Sequence, residues 1–348
     1  MSALRRPLPA ARGLRDTERL VAPAALAQTR TVLRIFDEDA PPPEGLDAPQ
    51  LLGLYRQLVT VRLVRAALPP AAEIEPRRPD HAAAIVGAVA ALAPADWLFP
   101  DPGDRGALLV RGATLASYFA QAAGAAGDPA KGRTGPAEPA RRGLNVVSVA
   151  TPLGMHLTQA TGAAWAARLR HDAVVVMASC TTAATSGDEF HVAVNFAGVM
   201  RAPVVFVCHT SPAALAHETA AESVAVKGLA YEVPGRRADG GDLLAVYAAC
   251  RAAVTRARRG EGPTLIEAVA EPASGARDPL TRLERYLVAR GVLAPAAAAA
   301  LQATAAAEVA AARDAAVAAA RPPAETLVDD VYADLPGHLS EQRGQVRG

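Results

Sequence analysis

The order of apolar and polar positions divides the chain into helix-like and strand-like segments. Leu51, Leu52, Leu54, Tyr55, Leu58, Val59 and Leu63 recur at helical spacing and predict an amphipathic helix. Residues 82–93 and 115–122 predict two more, with Asp80 and Thr114 placed to cap them. Residues 152–168 predict a helix with Pro152 near its first turn. Gly162, with Ala160, Ala163 and Ala164, would let that helix approach another closely. A β-branched run at 174–177, a small-residue turn at 179–184, an amphipathic helix from about Ser186 and an apolar run at 204–208 follow, ending at His209. Strand, turn, helix and strand in that order are the βαβ unit of a parallel sheet. Residues 242–259 predict another helix, and Thr264–Val269 a buried strand.

The ends of the chain read differently. Residues 1–45 predict an extended arm with one apolar segment (Val32-Leu33-Arg34-Ile35) and a Pro-rich linker at 40–45. Such an arm lies either across a partner subunit or on its own domain. Residues 125–143, rich in Gly, Pro and Arg, predict a long loop, of a length usually tied to function or mobility. After Asp278 the pattern is helical; Pro295 opens an Ala-rich helix and Pro322-Pro323 ends it. That helix has few large side chains, so it either packs closely on another element or stays loosely attached. The division expected is an arm at 1–45, an α/β domain at 46–276 and a helical extension at 277–348.

Composition narrows the function classes. The 348 residues are 51% hydrophobic and 20% charged, enough for one large or two modest domains. A net charge of +1 points to neither nucleic acid nor a membrane surface. No apolar run reaches spanning length, and the Arg-containing N-terminus lacks a secretory apolar region, so a soluble cytoplasmic protein is expected. Cys180, Cys208 and Cys250 have no CxxC spacing and read as small buried hydrophobes.

Ligands of open parallel sheets sit at the carboxyl ends of the strands. This chain offers Thr182 at one such end and Ser211 at the next, spaced 211 − 182 = 29 residues. Ala184-Thr185-Ser186, His191, Asn195-Phe196-Ala197 and Ala202-Pro203-Val204-Val205-Phe206 surround them. Together these resemble the thiamine-diphosphate motif of the alpha subunit of 2-oxo acid dehydrogenase decarboxylases, nearest the branched-chain (2-oxoisovalerate) type. The resemblance extends along the chain. It includes Arg34–Asp39 by position, Leu54-Tyr55-Arg56, Asp96-Trp97-Leu98-Phe99-Pro100, Asp104-x-Gly106, Lys131-Gly132-Arg133, Asp239-Gly240-x-Asp242, Asp278-Pro279-Leu280 and Val328-x-Asp330-Val331-Tyr332.

The resemblance implies a thiamine-diphosphate-binding α/β fold: a mainly parallel sheet flanked by helices, with the arm and extension appended. It implies thiamine diphosphate with Mg²⁺ as cofactor and a beta subunit as partner, two alpha with two beta, serving a lipoyl acyltransferase core. The cofactor-facing positions fall on Thr151, Leu153, Thr182, Ala183 and Ser211. The family's acidic and amide metal ligands fall on Thr182 and Ser211, neutral hydroxyls that cannot offset a divalent charge. Its diphosphate-gripping pair falls on Pro102 and Gly103, its monovalent-ion pair on Met155 and His156, and its His-bearing loop is shortened to residues 269–276. No catalytic residue and no metal ligand is therefore assigned. The reading is an oxidoreductase-like pseudoenzyme subunit of the oxidative decarboxylase, structural or regulatory in role. An active alpha subunit with unusual cofactor binding, and a non-enzymatic protein reusing the cleft for an anion, remain alternatives.

Other clusters have two readings each. Thr182 and Ser211 either keep a weakened diphosphate site or cap and fill a vacated one. Thr151 and Leu153 form either the loop against the aminopyrimidine or an ordinary turn. Asp188 and Glu189 complement a helix dipole, or Asp188 forms an acid–base dyad with His191. Cys180, Cys208 and His209 are core residues, or a nucleophile pair or zinc fragment. Arg105, Arg111, Arg133, Arg141 and Arg142 either gather positive charge at the site edge or are solvated or paired.

Overall fold

The computed structural model describes residues 23–36, 41–68, 80–133, 140–148, 153–272 and 275–346. Six strands, β1 (Val32–Leu33), β2 (Trp97–Phe99), β3 (Val176–Thr181), β4 (Val204–Thr210), β5 (Gly235–Asp239) and β6 (Thr264–Val269), form one sheet in the order β1-β5-β6-β4-β3-β2. Every pairing is parallel. The helices are α1 (Pro23–Arg30), α2 (Ala48–Ala67), α3 (Ala82–Ala90), α4 (Gly106–Val110), α5 (Leu115–Ala123), α6 (Met155–Leu169), α7 (Asp188–Met200), α8 (Pro212–Glu218), α9 (Val224–Lys227), α10 (Leu243–Arg258), α11 (Pro279–Ala289), α12 (Pro295–Ala318), α13 (Thr326–Asp329) and α14 (Gly337–Val346). This is the expected α/β architecture.

Side chains alternate across each strand, so each layer of helices has its own core. Met177, Val205, Val207 and Ile266 face one layer, with Val89 of α3 and Val246 and Val254 of α10. Val176, Ala178, Cys180, Phe206, Cys208 and Leu265 face the other, with Leu157 of α6 and Phe190 and Val194 of α7. Gly87 makes the α3–α10 contact possible: a Cβ there would lie 2.4 Å from the Leu243 carbonyl oxygen.

The arm region differs from the extended reading. It contains the helix α1, and β1 joins the sheet beside β5. Asp242, fully buried, caps α10 through the Ala245 N–H (2.9 Å) and accepts the Ile35 and Phe36 N–H groups at 2.6 and 2.8 Å. Residues 32–36 are thus held on the chain's own domain. Burial raises the Asp242 pKa, and the three N–H donors oppose that shift.

The Ala-rich helix packs closely. Ala298, Ala305, Val309 and Ala316 of α12 are buried. Beneath it the Tyr55 hydroxyl donates to Glu284 at 2.8 Å and accepts from the Gln302 amide at 2.7 Å. Burial pushes the Tyr55 pKa up to about 12.

Some boundaries move. The third strand runs on through Ser179 to Thr181, where a turn was expected, and α7 starts at Asp188. Helix α3 stops at Ala90 and α6 starts at Met155, after Gly154 in the left-handed conformation. Gly162 of α6 faces open space rather than a neighbouring helix. Among the described residues no helix is long and apolar enough to cross a membrane.

Gly87→Ala is expected to destabilise the fold by about 2 kcal/mol, because a rigid backbone oxygen must move to admit the methyl group. Urea unfolding monitored by circular dichroism measures this.

Candidate functional site

The carboxyl ends of β3 and β4 are adjacent because the two strands pair in register, Thr181 beside His209. This brings Thr182 next to Thr210. The Thr182 hydroxyl donates to the Thr210 hydroxyl at 2.6 Å, both residues being 1% exposed. The Thr182 carbonyl oxygen accepts from the Thr185 hydroxyl at 2.7 Å, closing the short turn Ala183–Ser186. Ser211, the next residue on β4's chain, caps α8: its hydroxyl oxygen accepts the Ala214 N–H at 3.1 Å. Both oxygens at the motif positions are therefore engaged within the protein. Ala183 contributes only a methyl group and its backbone. Leu153 is 47% exposed, at the turn before α6, and Thr151 lies outside the described residues.

Behind the two strand ends lies a buried polar cluster. His209 Nε2 is 2.8 Å from Asp104 Oδ2, with both side chains almost fully buried. A carboxylate oxygen accepts, so Nε2–H donates. The His81 ring lies 5.2 Å from the His209 ring. His156 Nε2 donates to the Ser179 carbonyl oxygen at 2.6 Å, and the Ser179 hydroxyl accepts the Asp101 N–H at 2.8 Å. The Nδ1 atoms of His156 and His209 are buried and have no hydrogen-bond partner among the described residues. Each such unmade bond costs stability.

This donor set does not fit a magnesium-bound diphosphate. Mg²⁺ favours anionic oxygen ligands. The two motif oxygens are neutral hydroxyls, one committed to a neighbouring hydroxyl and one to a helix cap. The nearby carboxylate of Asp104 is bound to an imidazole. Pro102 and Gly103 present no side-chain donor.

The remaining clusters are dispersed. His191 Nδ1 meets the Tyr231 hydroxyl at 3.1 Å, while Asp188 sits exposed in the first turn of α7, so the Asp–His dyad is not formed. Cys180 and Cys208 pair across β3 and β4 on the α6–α7 face, whereas His209 faces the opposite layer. Burial raises the Cys208 thiol well above its usual pKa, which disfavours a thiolate nucleophile. The arginines do not share an edge. Arg111 sits by the amino end of β2 and donates to the carbonyls of Ala93, Pro94, Asp96 and Leu144. Arg133 binds Asp330, Arg141 donates to the Ser117 carbonyl, and Arg142 lies in a short turn; Arg105 alone is buried by the cluster.

Sequence reasoning did not join Asp104 to His209. They lie 105 positions apart, and neither has a local pattern that names the other. The one available signal was a strand ending on a histidine, which needs a buried counter-group if the strand end is covered.

Residues 79–270 match the family described as the dehydrogenase E1 component. The chain is 30% identical over 287 residues to 2-oxoisovalerate dehydrogenase subunit alpha 2, mitochondrial, of Arabidopsis thaliana, an alignment covering 75% of this chain and 61% of that protein. It is 31% identical over 288 residues to 2-oxoisovalerate dehydrogenase subunit alpha, mitochondrial, of Caenorhabditis elegans, covering 75% and 66%. It is 38% identical over 191 residues to 3-methyl-2-oxobutanoate dehydrogenase subunit alpha of Mycobacterium tuberculosis, covering 54% and 50%. The aligned part thus spans half to two thirds of the length of these relatives.

His209→Leu is expected to destabilise the protein by about 3 kcal/mol, since it takes the imidazole from a buried carboxylate. Adding Asp104→Leu should recover part of that loss, and chemical unfolding of both variants tests the coupling.

Proposed function

From a chain that belongs to the dehydrogenase E1 component family, we propose an alpha-type subunit of a branched-chain 2-oxo acid dehydrogenase whose own half-site does not hold a magnesium-bound diphosphate. Its role is structural or regulatory, beside a beta subunit and in an assembly of two alpha with two beta chains. The observation that carries this reading is the internal use of the Thr182 and Ser211 hydroxyls. A divalent ion there would gain only neutral hydroxyl oxygens, and at Ser211 it would share the lone pairs that cap α8. The names of the aligned relatives support a branched 2-oxo acid as the substrate class.

The partner reading is supported by an apolar surface. Met155, Trp165 and Leu169 of α6 and Val192, Phe196 and Val199 of α7 are 37–74% exposed. The two helices pack side by side, so these residues lie on neighbouring elements. Exposed apolar groups concentrated in this way mark a protein–protein contact. A lipoyl acyltransferase core would be reached through the beta-containing assembly.

Calorimetric titration with thiamine diphosphate and Mg²⁺, with and without a co-expressed beta subunit, separates the readings. The expected result is stable co-purification with the beta subunit and no saturable metal-dependent heat. Tight metal-dependent binding would assign an active alpha subunit instead. Thr182→Asp with Ser211→Asn is expected to create measurable metal affinity, because it supplies one charged and one amide oxygen at the two motif positions.

A further inference from the structure

The loop carrying Lys131 and Arg133 is braced from within. Asp128, 2% exposed, accepts the Ala130 N–H and the Gly132 N–H, at 2.9 and 2.8 Å. Lys131 and Gly132 take left-handed conformations, with φ of 50° and 76°. Asp128 thus braces the backbone of the turn that carries both cations.

Both point at one carboxylate of the C-terminal tail. Lys131 Nζ lies 2.5 Å and Arg133 Nη2 3.2 Å from the same atom, Asp330 Oδ2. One carboxylate thus faces two cations, and Arg133 meets it through one nitrogen where a guanidinium can present two. The two cations together hold Asp330 below its ordinary carboxylate pKa. A tetrahedral phosphate would offer more charge and more acceptor oxygens to the same pair.

The segment that supplies Asp330 is lightly attached. Helix α13 has four residues, and Val328 is its one buried side chain. Leu327, Val331 and Tyr332 around Asp330 are 60%, 53% and 56% exposed. The three side chains of the ion pair are themselves 31–40% exposed, so water and solutes reach them and the pairing is a weak one.

We propose that Lys131 and Arg133 form a phosphate receptor that Asp330 occupies from within the chain, making the C-terminal tail a latch that a phosphate-bearing ligand displaces. Receptor and latch stand whether or not the Thr182–Ser211 edge takes a cofactor.

Hydrogen–deuterium exchange across residues 325–332 of the full chain reads the latch. Inorganic phosphate is titrated against potassium chloride at matched ionic strength. Phosphate is expected to speed exchange in this segment and chloride to leave it unchanged. Asp330→Asn is expected to bind inorganic phosphate about fivefold more tightly by calorimetry, the worth of one exposed ion pair. Lys131→Gln with Arg133→Gln should abolish phosphate binding and its effect on exchange. Native tryptic cleavage after Lys131 and Arg133 should be faster in Asp330→Asn and slow again when phosphate is added. O-phosphoserine binding more tightly than inorganic phosphate assigns the receptor to a phosphoester, and the reverse order assigns it to the free anion. Equal phosphate affinity in wild type and Asp330→Asn, or equal exchange in phosphate and chloride, overturns the proposal.

Discussion

The register between β3 and β4 fixes nearly everything at the candidate site. Pairing Thr181 with His209 places Thr182 beside Thr210 and sends alternate side chains to opposite layers. Cys180 and Cys208 go to the α6–α7 core, and His209 goes to Asp104. A slip of one residue would bury the imidazole among aliphatic groups and leave the Asp104 carboxylate facing a thiol. Apolar burial on both faces and the buried imidazole–carboxylate hydrogen bond therefore select the same alignment.

The carboxyl edge of the sheet shows how a polar site persists without a strong ligand set. Buried polar groups need partners. Here they find them in one another: hydroxyl to hydroxyl at Thr182 and Thr210, imidazole to carboxylate at His209 and Asp104, imidazole to backbone at His156 and Ser179. Each of these pairs is made at short range. Among the described residues the Nδ1 atoms of His156 and His209 have no partner. The C-terminal extension is tied down unevenly: buried small side chains and a Tyr55–Glu284–Gln302 network anchor α12, while beyond it the Ala320 carbonyl, Arg321, Val328 and Asp330 attach the tail.

Much of this was legible in the chain. The periodic segments gave α2, α5, α10 and α12, and the cap Thr114 lies where its side chain predicts. The βαβ unit was visible because β3 and β4 are buried on both faces and so read as apolar runs. Strand β5 was not, because Arg236 and Arg237 interrupt its pattern; Arg237 is accommodated by Glu267, which is itself buried on β6 and also accepts the Ala225 N–H. Strand β2 is three residues long and carries too little pattern to be read. Arg111 looked like a site residue because charge alone does not reveal that four backbone carbonyls surround it.

The sequence by itself determined the strand–helix order, the parallel sheet and the neutral hydroxyls at Thr182 and Ser211, because these depend on local pattern and residue chemistry. Only the tertiary structure decided what those hydroxyls do, which carboxylate meets His209, and that Lys131 and Arg133 converge on Asp330. Those pairings join residues 28, 105, 199 and 197 positions apart. No local propensity encodes them; they are fixed when the two core layers and the C-terminal helices close around the sheet.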